Sequence, residues 1–169
     1  MKTPQAILQC EKEYINCIAR REETGFGQRY RDALLPDMYD YNFLYIEKEL
    51  EPEDFCRVVE AELDLCGGQG FCEIVTDAPA PEKVPGNPQV SVLGYYVFDV
   101  SRFEGLADST RVSVKIVNSG KRAADVAKLD LKNDGGNWGE DFCRRRSQRQ
   151  MRIYLSDSPI NSYVCYLGE

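Results

Sequence analysis

The chain has no histidine among its 169 residues. Ser–His–Asp and Cys–His catalysis are thereby excluded, and a general base must be Asp, Glu, Tyr, Lys, Cys or a water relayed by one of them. It also lacks a C-x-x-C pair: the seven cysteines, Cys10, Cys17, Cys56, Cys66, Cys72, Cys143 and Cys165, are odd in number and irregularly spaced. Without histidine a zinc site would need four thiolates or carboxylates at unusual spacing, so no metal is expected. The cysteines read as buried, reduced thiols of a cytoplasmic protein. No run reaches the roughly 18 apolar residues of a membrane span. The opening MKTPQAILQCEKEY brings in acidic residues before any long apolar run, unlike a signal peptide.

Positive charge is in deficit as well. The net charge is −7 and the isoelectric point near 4.8, which argues against non-specific binding to nucleic acid or anionic membrane. With 43% apolar and 29% charged residues, the composition is globular and allows a sizeable core. The length suits one domain, or two small ones sharing a core.

What the chain has in abundance is tyrosine beside arginine. Residues 27–46, GQRYRDALLPDMYDYNFLYI, set Arg29, Arg31, Asp32, Asp37 and Asp40 among Tyr30, Tyr39, Tyr41 and Tyr45. Tyrosines on a loop offer flat apolar area and a hydroxyl at low entropic cost. Arginines offer planar forks for carboxylate or phosphate. Pro36 breaks any helix, and Asn42–Ile46 reads as a short strand. The segment is thus a polar, aromatic loop leading into a strand, and Arg29, Arg31, Asp37, Tyr39 and Tyr41 are the candidate substrate-binding residues. The competing reading is that the tyrosines cap a core and the charges pair locally.

Elsewhere the spacing predicts a helix from Thr3 and Pro4 to Gly25, carrying Ile7, Leu8, Tyr14, Ile15 and Ile18. A second opens at Pro52, with Glu51, Glu53 and Asp54 at the positive end of its dipole. Its apolar face is Phe55, Val58, Val59 and Leu63, and Gly67 and Gly68 stop it. Strands are predicted at Phe71–Val75, Val90–Val100, Arg111–Val117, Met151–Leu155 and Ser162–Leu167. In Arg111–Val117, Val112, Val114 and Ile116 share one face. A short helix is predicted near 121–131, on Ala124, Ala127 and Leu131 or on Val126 and Leu129. Asn133–Gly136 reads as a turn, and Ser156–Pro159 as another. A further helix is anchored by Trp138 and Phe142. Asp77–Pro88 holds half of the eight prolines and reads as a connector: a hinge between halves, or a long crossing loop. The order suggests an α/β or α+β fold with a mixed sheet. The final strand followed by Gly168 resembles the start of a hairpin, as in a chain cut before its partner strand. Such a sheet edge at 163–167 would self-associate.

Three further motifs have both a functional and a structural reading. Arg144–Arg146 and Arg149 could bind the phosphates of a nucleotide, coenzyme A or RNA, but a solvated helix face pairing with the acidic excess is the stronger reading. Cys66–Gly70 follows a helix and precedes a strand, the wrong order for a phosphate-binding fingerprint, and reads as a cap and turn. Glu60, Glu62 and Asp64, and separately Asp130, Asp134, Glu140 and Asp141, lack calcium-loop spacing and read as solvated surface.

Taken together, residues 27–46, GYYVFDVS at 94–101 and NWGEDFCRRRSQRQMRIYLSDSPINSYVCYLGE at 137–169 resemble one lineage of the GNAT acyltransferase superfamily. The resemblance implies a GNAT-like α/β fold, incomplete on its C-terminal side. Residues 1–169 would form one such domain or the N-terminal half of a larger acyltransferase, with the connector at 77–88. It implies acetyl-CoA as cofactor of the complete protein and a small-molecule or protein amine as acceptor. The family holds the acetyl-CoA pyrophosphate on a R/Q-x-x-G-x-G/A turn at a helix N-terminus. That turn is absent: Leu65–Gly70 and Glu22–Gly27 have the glycine offsets without the Arg/Gln. The resemblance therefore implies an acceptor-side part that binds acetyl-CoA weakly or not at all, and it carries over no catalytic residue. The alternative is a non-catalytic module that presents the tyrosine-rich loop to a protein or small ligand.

Overall fold

A computed structural model describes residues 5–67, 70–92, 111–157 and 160–167. They form four helices, a four-stranded mixed sheet and a two-stranded sheet, a mixed α/β architecture. The chain divides into two compact units, Met1–Val92 and Leu93–Glu169.

The first unit runs α1 (Gln5–Asn16), β1 (Arg20–Glu23), β2 (Gly27–Arg31), β3 (Phe43–Ile46), α2 (Pro52–Cys66) and β4 (Glu73–Thr76). The sheet order is β1-β2-β3-β4. The first three strands are an antiparallel meander; β4 returns parallel to β3 after the α2 crossover. The predicted helix to Gly25 is thus too long. It ends at Asn16, and Gly25 sits in the β1–β2 hairpin, where Thr24 Oγ1 accepts from the Gly27 amide at 2.9 Å. Arg20–Glu23 alternate poorly with apolar residues, so only the partner strand makes them β: all four are exposed on an edge. Gly27 is required sterically, because a Cβ there would lie 2.0 Å from the Tyr45 carbonyl oxygen.

Strand parity gives the sheet two different faces. Leu44 and Ile46 of β3 face α2, packing with Phe55 and Val59 and flanked by Ile74, Val58, Leu50 and Phe26. Tyr30 and Phe43 lie on the other face, stacked with centroids 4.9 Å apart. There α1 contributes Lys12, which lies over the Tyr45 ring and pairs with Glu47. Pro52 starts α2 at the predicted position, but its buried stripe is Phe55, Val59, Glu62 and Cys66, with Leu63 37% exposed. Residues 77–88 pack on the same core. Val84 touches it, the Cys56 thiol donates to the Lys83 carbonyl at 3.5 Å, and Leu63 meets Gly86, whose φ of 81° needs glycine.

The second unit contains β5 (Val112–Ile116), α3 (Gly120–Trp138), α4 (Glu140–Tyr154) and β6 (Tyr163–Leu167). The two strands pair antiparallel. Val117, Ala123 and Val164 form the core, with Val126, Met151, Tyr154 and Tyr166 against it. Ser119 caps α3, its Oγ accepting from the Arg122 amide. Two expectations are corrected here. Asn133–Gly136 is no turn: α3 runs through it, and the chain breaks only at Gly139, with φ of 85°. Met151–Leu155 is no strand: α4 continues to Tyr154, because Ile153 is buried and Met151 and Tyr154 pack on the core. Val112, Val114 and Ile116 do share a face, opposite Leu167, Cys165 and Tyr163, but that face is exposed. Thr3, Pro4 and most of the predicted strand Val90–Val100 lie outside the described residues, as do the side chains of Ile7 and Leu8.

Candidate functional site

The segment from Gly27 to Ile46 is two strands and a stapled turn, not a free loop. The staple is Asn42, which is buried. Its Oδ1 accepts from the Asp32 amide at 2.9 Å, and its Nδ2 donates to the Leu35 and Met38 carbonyls at 2.7 Å each. Asp32 is buried too, and its Oδ1 accepts from the Leu34 amide at 3.0 Å. With Leu35 fully buried, the turn carries its own small core.

The five candidate residues separate into two groups. Arg29 and Arg31, two apart on β2, project to the α2 face, and there Glu62 meets both. Glu62 Oε2 lies 2.7 Å from Arg29 Nη2, and Oε1 lies 2.5 Å from Arg31 Nη2. Glu62 is 1% exposed, so the expectation of a solvated carboxylate is wrong for it. Its spacing after Phe55 and Val59 places it on the buried stripe, a signal present in the sequence. Burial alone would push the Glu62 carboxyl up; the hydrogen bonds and charges of Arg29 and Arg31 outweigh it and hold the group below its ordinary range. The hydrogen bond to Glu62 leads the effects that raise the Arg29 guanidinium, against burial. Tyr41 belongs with these inner residues: it is buried, its hydroxyl 3.4 Å from that of Tyr14.

Asp37 and Tyr39 are at the surface. Tyr39 is 42% exposed and meets Phe71 edge-on, ring centroids 6.4 Å apart. Next to it Asp40 is also exposed and, like Asp37, makes further interactions. Two residues after Phe71, Glu73 opens β4 opposite Phe43. Its Oε2 is buried with no hydrogen-bond partner among the described residues. Burial first, and the Asp40 charge second, push its carboxyl above the ordinary range. Glu73 lies inside a predicted strand with no local signal of its own; only the Asp40 charge brought near it singles it out.

The arginine run of α4 behaves as a paired helix face. Arg144 meets Glu140 at 3.3 Å, Arg145 meets Asp141 at 2.9 Å, and Arg146 reaches across to Asp134 at 2.5 Å. Ser147 Oγ donates to Asp130 at 3.1 Å. The acidic group of α3 and α4 is therefore engaged by this run. All seven cysteines are free thiols, but only Cys66 and Cys143 are buried, and Cys10 and Cys165 are exposed. Among the described residues no cluster of three or more Cys, Asp or Glu could hold a metal, and no helix is long and apolar enough to cross a membrane.

Comparison with protein families, with curated proteins and with solved structures finds no match to this chain. A carboxyl raised by burial, with one oxygen unpartnered among the described residues, beside a second carboxylate and the edge-on pair of exposed Tyr39 and half-buried Phe71, suits a cationic amine. The carboxylates attract it, the ring faces accept its charge, and the raised carboxyl can exchange its proton.

Proposed function

We propose that this chain is the acceptor-side part of a GNAT-like N-acetyltransferase, in which an amine attacks the thioester of acetyl-CoA directly. The acceptor, a small-molecule or protein amine, sits against Tyr39 and Phe71. Glu73, poised beside Asp40, takes its proton. The observation that carries this reading is the Glu73 oxygen, unpartnered among the described residues, with the Asp40 charge acting on its carboxyl. Asp37 and Tyr39 form the rim, whereas Arg29, Arg31 and Tyr41 support the sheet beneath it. The entrance to α2 favours the acceptor side over the cofactor side. Glu51, Glu53 and Asp54 line an open depression there with Pro52 and Arg57, and this acidic mouth repels a pyrophosphate. Acetyl-CoA is therefore a cofactor of the complete protein that this chain holds weakly at most. The reaction belongs in the cytoplasm. Self-association runs through β6, where Tyr163 and Leu167 are 62% and 82% exposed.

Calorimetric titration with a panel of primary amines, spermidine included, tests the reading. Amine binding that falls at least about tenfold in Glu73→Gln, the weight of one charge-assisted contact, supports it. Absence of amine binding removes it. Tight binding of acetyl-CoA by the same chain contradicts its acceptor-side character.

A second reading is a non-catalytic module that docks a protein on the Tyr39 surface. It is favoured by the internal pairing of Arg29 and Arg31 with Glu62, which keeps the strongest charged groups for stability. A partner whose capture is lost in Tyr39→Ala, in a chain that binds no amine, would establish it.

A further inference from the structure

Two thiols face each other where α2 meets β4. Cys66 is the last residue of the buried α2 stripe, one turn after Glu62. Extending the β3–β4 register by one residue sets Cys72 opposite Asn42, with the parity of Leu44 and Ile74, whose side chains face α2. Arg31 donates to Cys66 Sγ at 3.6 Å, and the Cys66 thiol reaches Glu62 Oε1 at 3.9 Å.

We propose that Cys66 and Cys72 are an attacking and resolving pair that forms a reversible disulfide under hydroperoxide, tying the end of α2 to the start of β4. This is independent of the acetyl-transfer reading. The charges around the pair support the assignment of roles. Two guanidiniums, Arg29 and Arg31, surround the single buried carboxylate of Glu62, with the exposed Glu22 3.6 Å from Arg29. The Cys66 sulfur thus has the Arg31 guanidinium in contact, with the Glu62 carboxylate on its other side. Cys72 is the protonated partner. Burial first, then its hydrogen bond to Cys66, push its thiol up to about 12.

In the first step the Cys66 sulfur attacks the peroxide. An S–O bond forms, the O–O bond breaks, and water leaves with the thiol proton, giving a sulfenic acid. In the second step the Cys72 sulfur attacks Cys66. The S–S bond forms, the S–O bond breaks, and the hydroxyl leaves as water with the Cys72 proton. The two sulfurs lose two electrons to one hydroperoxide, and a thiol reductant reverses the change.

The test treats the native chain with stoichiometric hydrogen peroxide, alkylates free thiols and maps an unreduced digest by mass spectrometry. A Cys66–Cys72 cross-link as the main product, with the other five cysteines alkylated, is the expected result. In Cys72→Ser the oxidised Cys66 should be trapped by dimedone, and Arg31→Gln, which removes the guanidinium in contact with Cys66 Sγ, should slow oxidation by about tenfold. Cross-links among other cysteines, or a Cys66 that oxidises no faster than exposed Cys10, overturn the proposal. So does an equal preference for Cys66–Cys72 in urea, which would make short loop closure the whole cause. Because Cys72→Ser is near-isosteric, its thermal melt beside that of the native chain separates loss of chemistry from loss of fold.

Discussion

The two units use charge in opposite ways. In Met1–Val92 a carboxylate is taken fully inside, and two arginines from one strand reach it. In Leu93–Glu169 two arginines of α4, Arg144 and Arg145, lie along the helix surface with partners four residues away. The same residue types appear in both, at similar distances. What differs is water. A buried pair is costly to break because the group left behind has no solvent; an exposed pair is replaced by hydration at little cost. Counting ion pairs would rate the units alike, whereas burial separates them.

The sharpest way to break this comparison is Glu62→Ala. It leaves Arg29 and Arg31 facing each other under α2 and should cost about 3–5 kcal/mol in urea unfolding. A loss under about 1 kcal/mol would mean that water fills the gap and the contrast between units is false. Gly27→Ala attacks the same sheet without touching charge. The new Cβ meets the Tyr45 carbonyl, and overpacking against backbone should cost about 3 kcal/mol.

Acid titration sharpens the comparison within the first unit. The folded Glu62 carboxyl titrates below its ordinary value of 4.5, so its stabilisation is complete above that pH and fades as the pH falls through the folded value. Glu73 has the reverse sign: its folded value lies above 4.5, so it costs stability as the pH rises through that higher value. At pH 7 Glu73→Gln should therefore stabilise by about 1 kcal/mol, the desolvation of one unpaired group. The gain should vanish below the ordinary range of the carboxyl, as chemical denaturation across pH would reveal. At the small end, Asp141→Ala should change stability by no more than about 0.5 kcal/mol, and 1 M salt should erase the difference.

How much of this was readable in advance follows the same division. Pro52 with its flanking carboxylates marks the α2 start because those signals are local. β5 and β6 were legible because apolar periodicity bounds them. The α3–α4 hairpin was not. Asp134-Gly135-Gly136 looks like a turn by composition, and only packing against α4, with Arg146 on Asp134, keeps it helical. MRIYL at 151–155 has strand propensity that the continuing helix overrides. At the candidate site, composition singles out Tyr39 and Asp37, and both lie at the surface. The inward pairing of Arg29 and Arg31 agrees with the competing reading that the charges pair, and their spacing of two is that of a strand, but nothing local points to Glu62 of α2 as the partner. Glu73 and the facing of Cys66 and Cys72 depend on which residues the α2 crossover brings together, and no local pattern encodes that.

The single-residue break at Gly139 has a kinetic consequence. It joins two helices whose contacts are close in sequence, so little chain entropy is lost before they reward one another. The β3–β4 pairing, by contrast, cannot close until α2 and the chain around it have been brought to heel as one long loop. The helical hairpin should form orders of magnitude sooner after dilution from denaturant, and stopped-flow circular dichroism should resolve a fast helical phase ahead of the parallel pairing. The part of the molecule made later on the ribosome is thus the part that finds its structure faster once released.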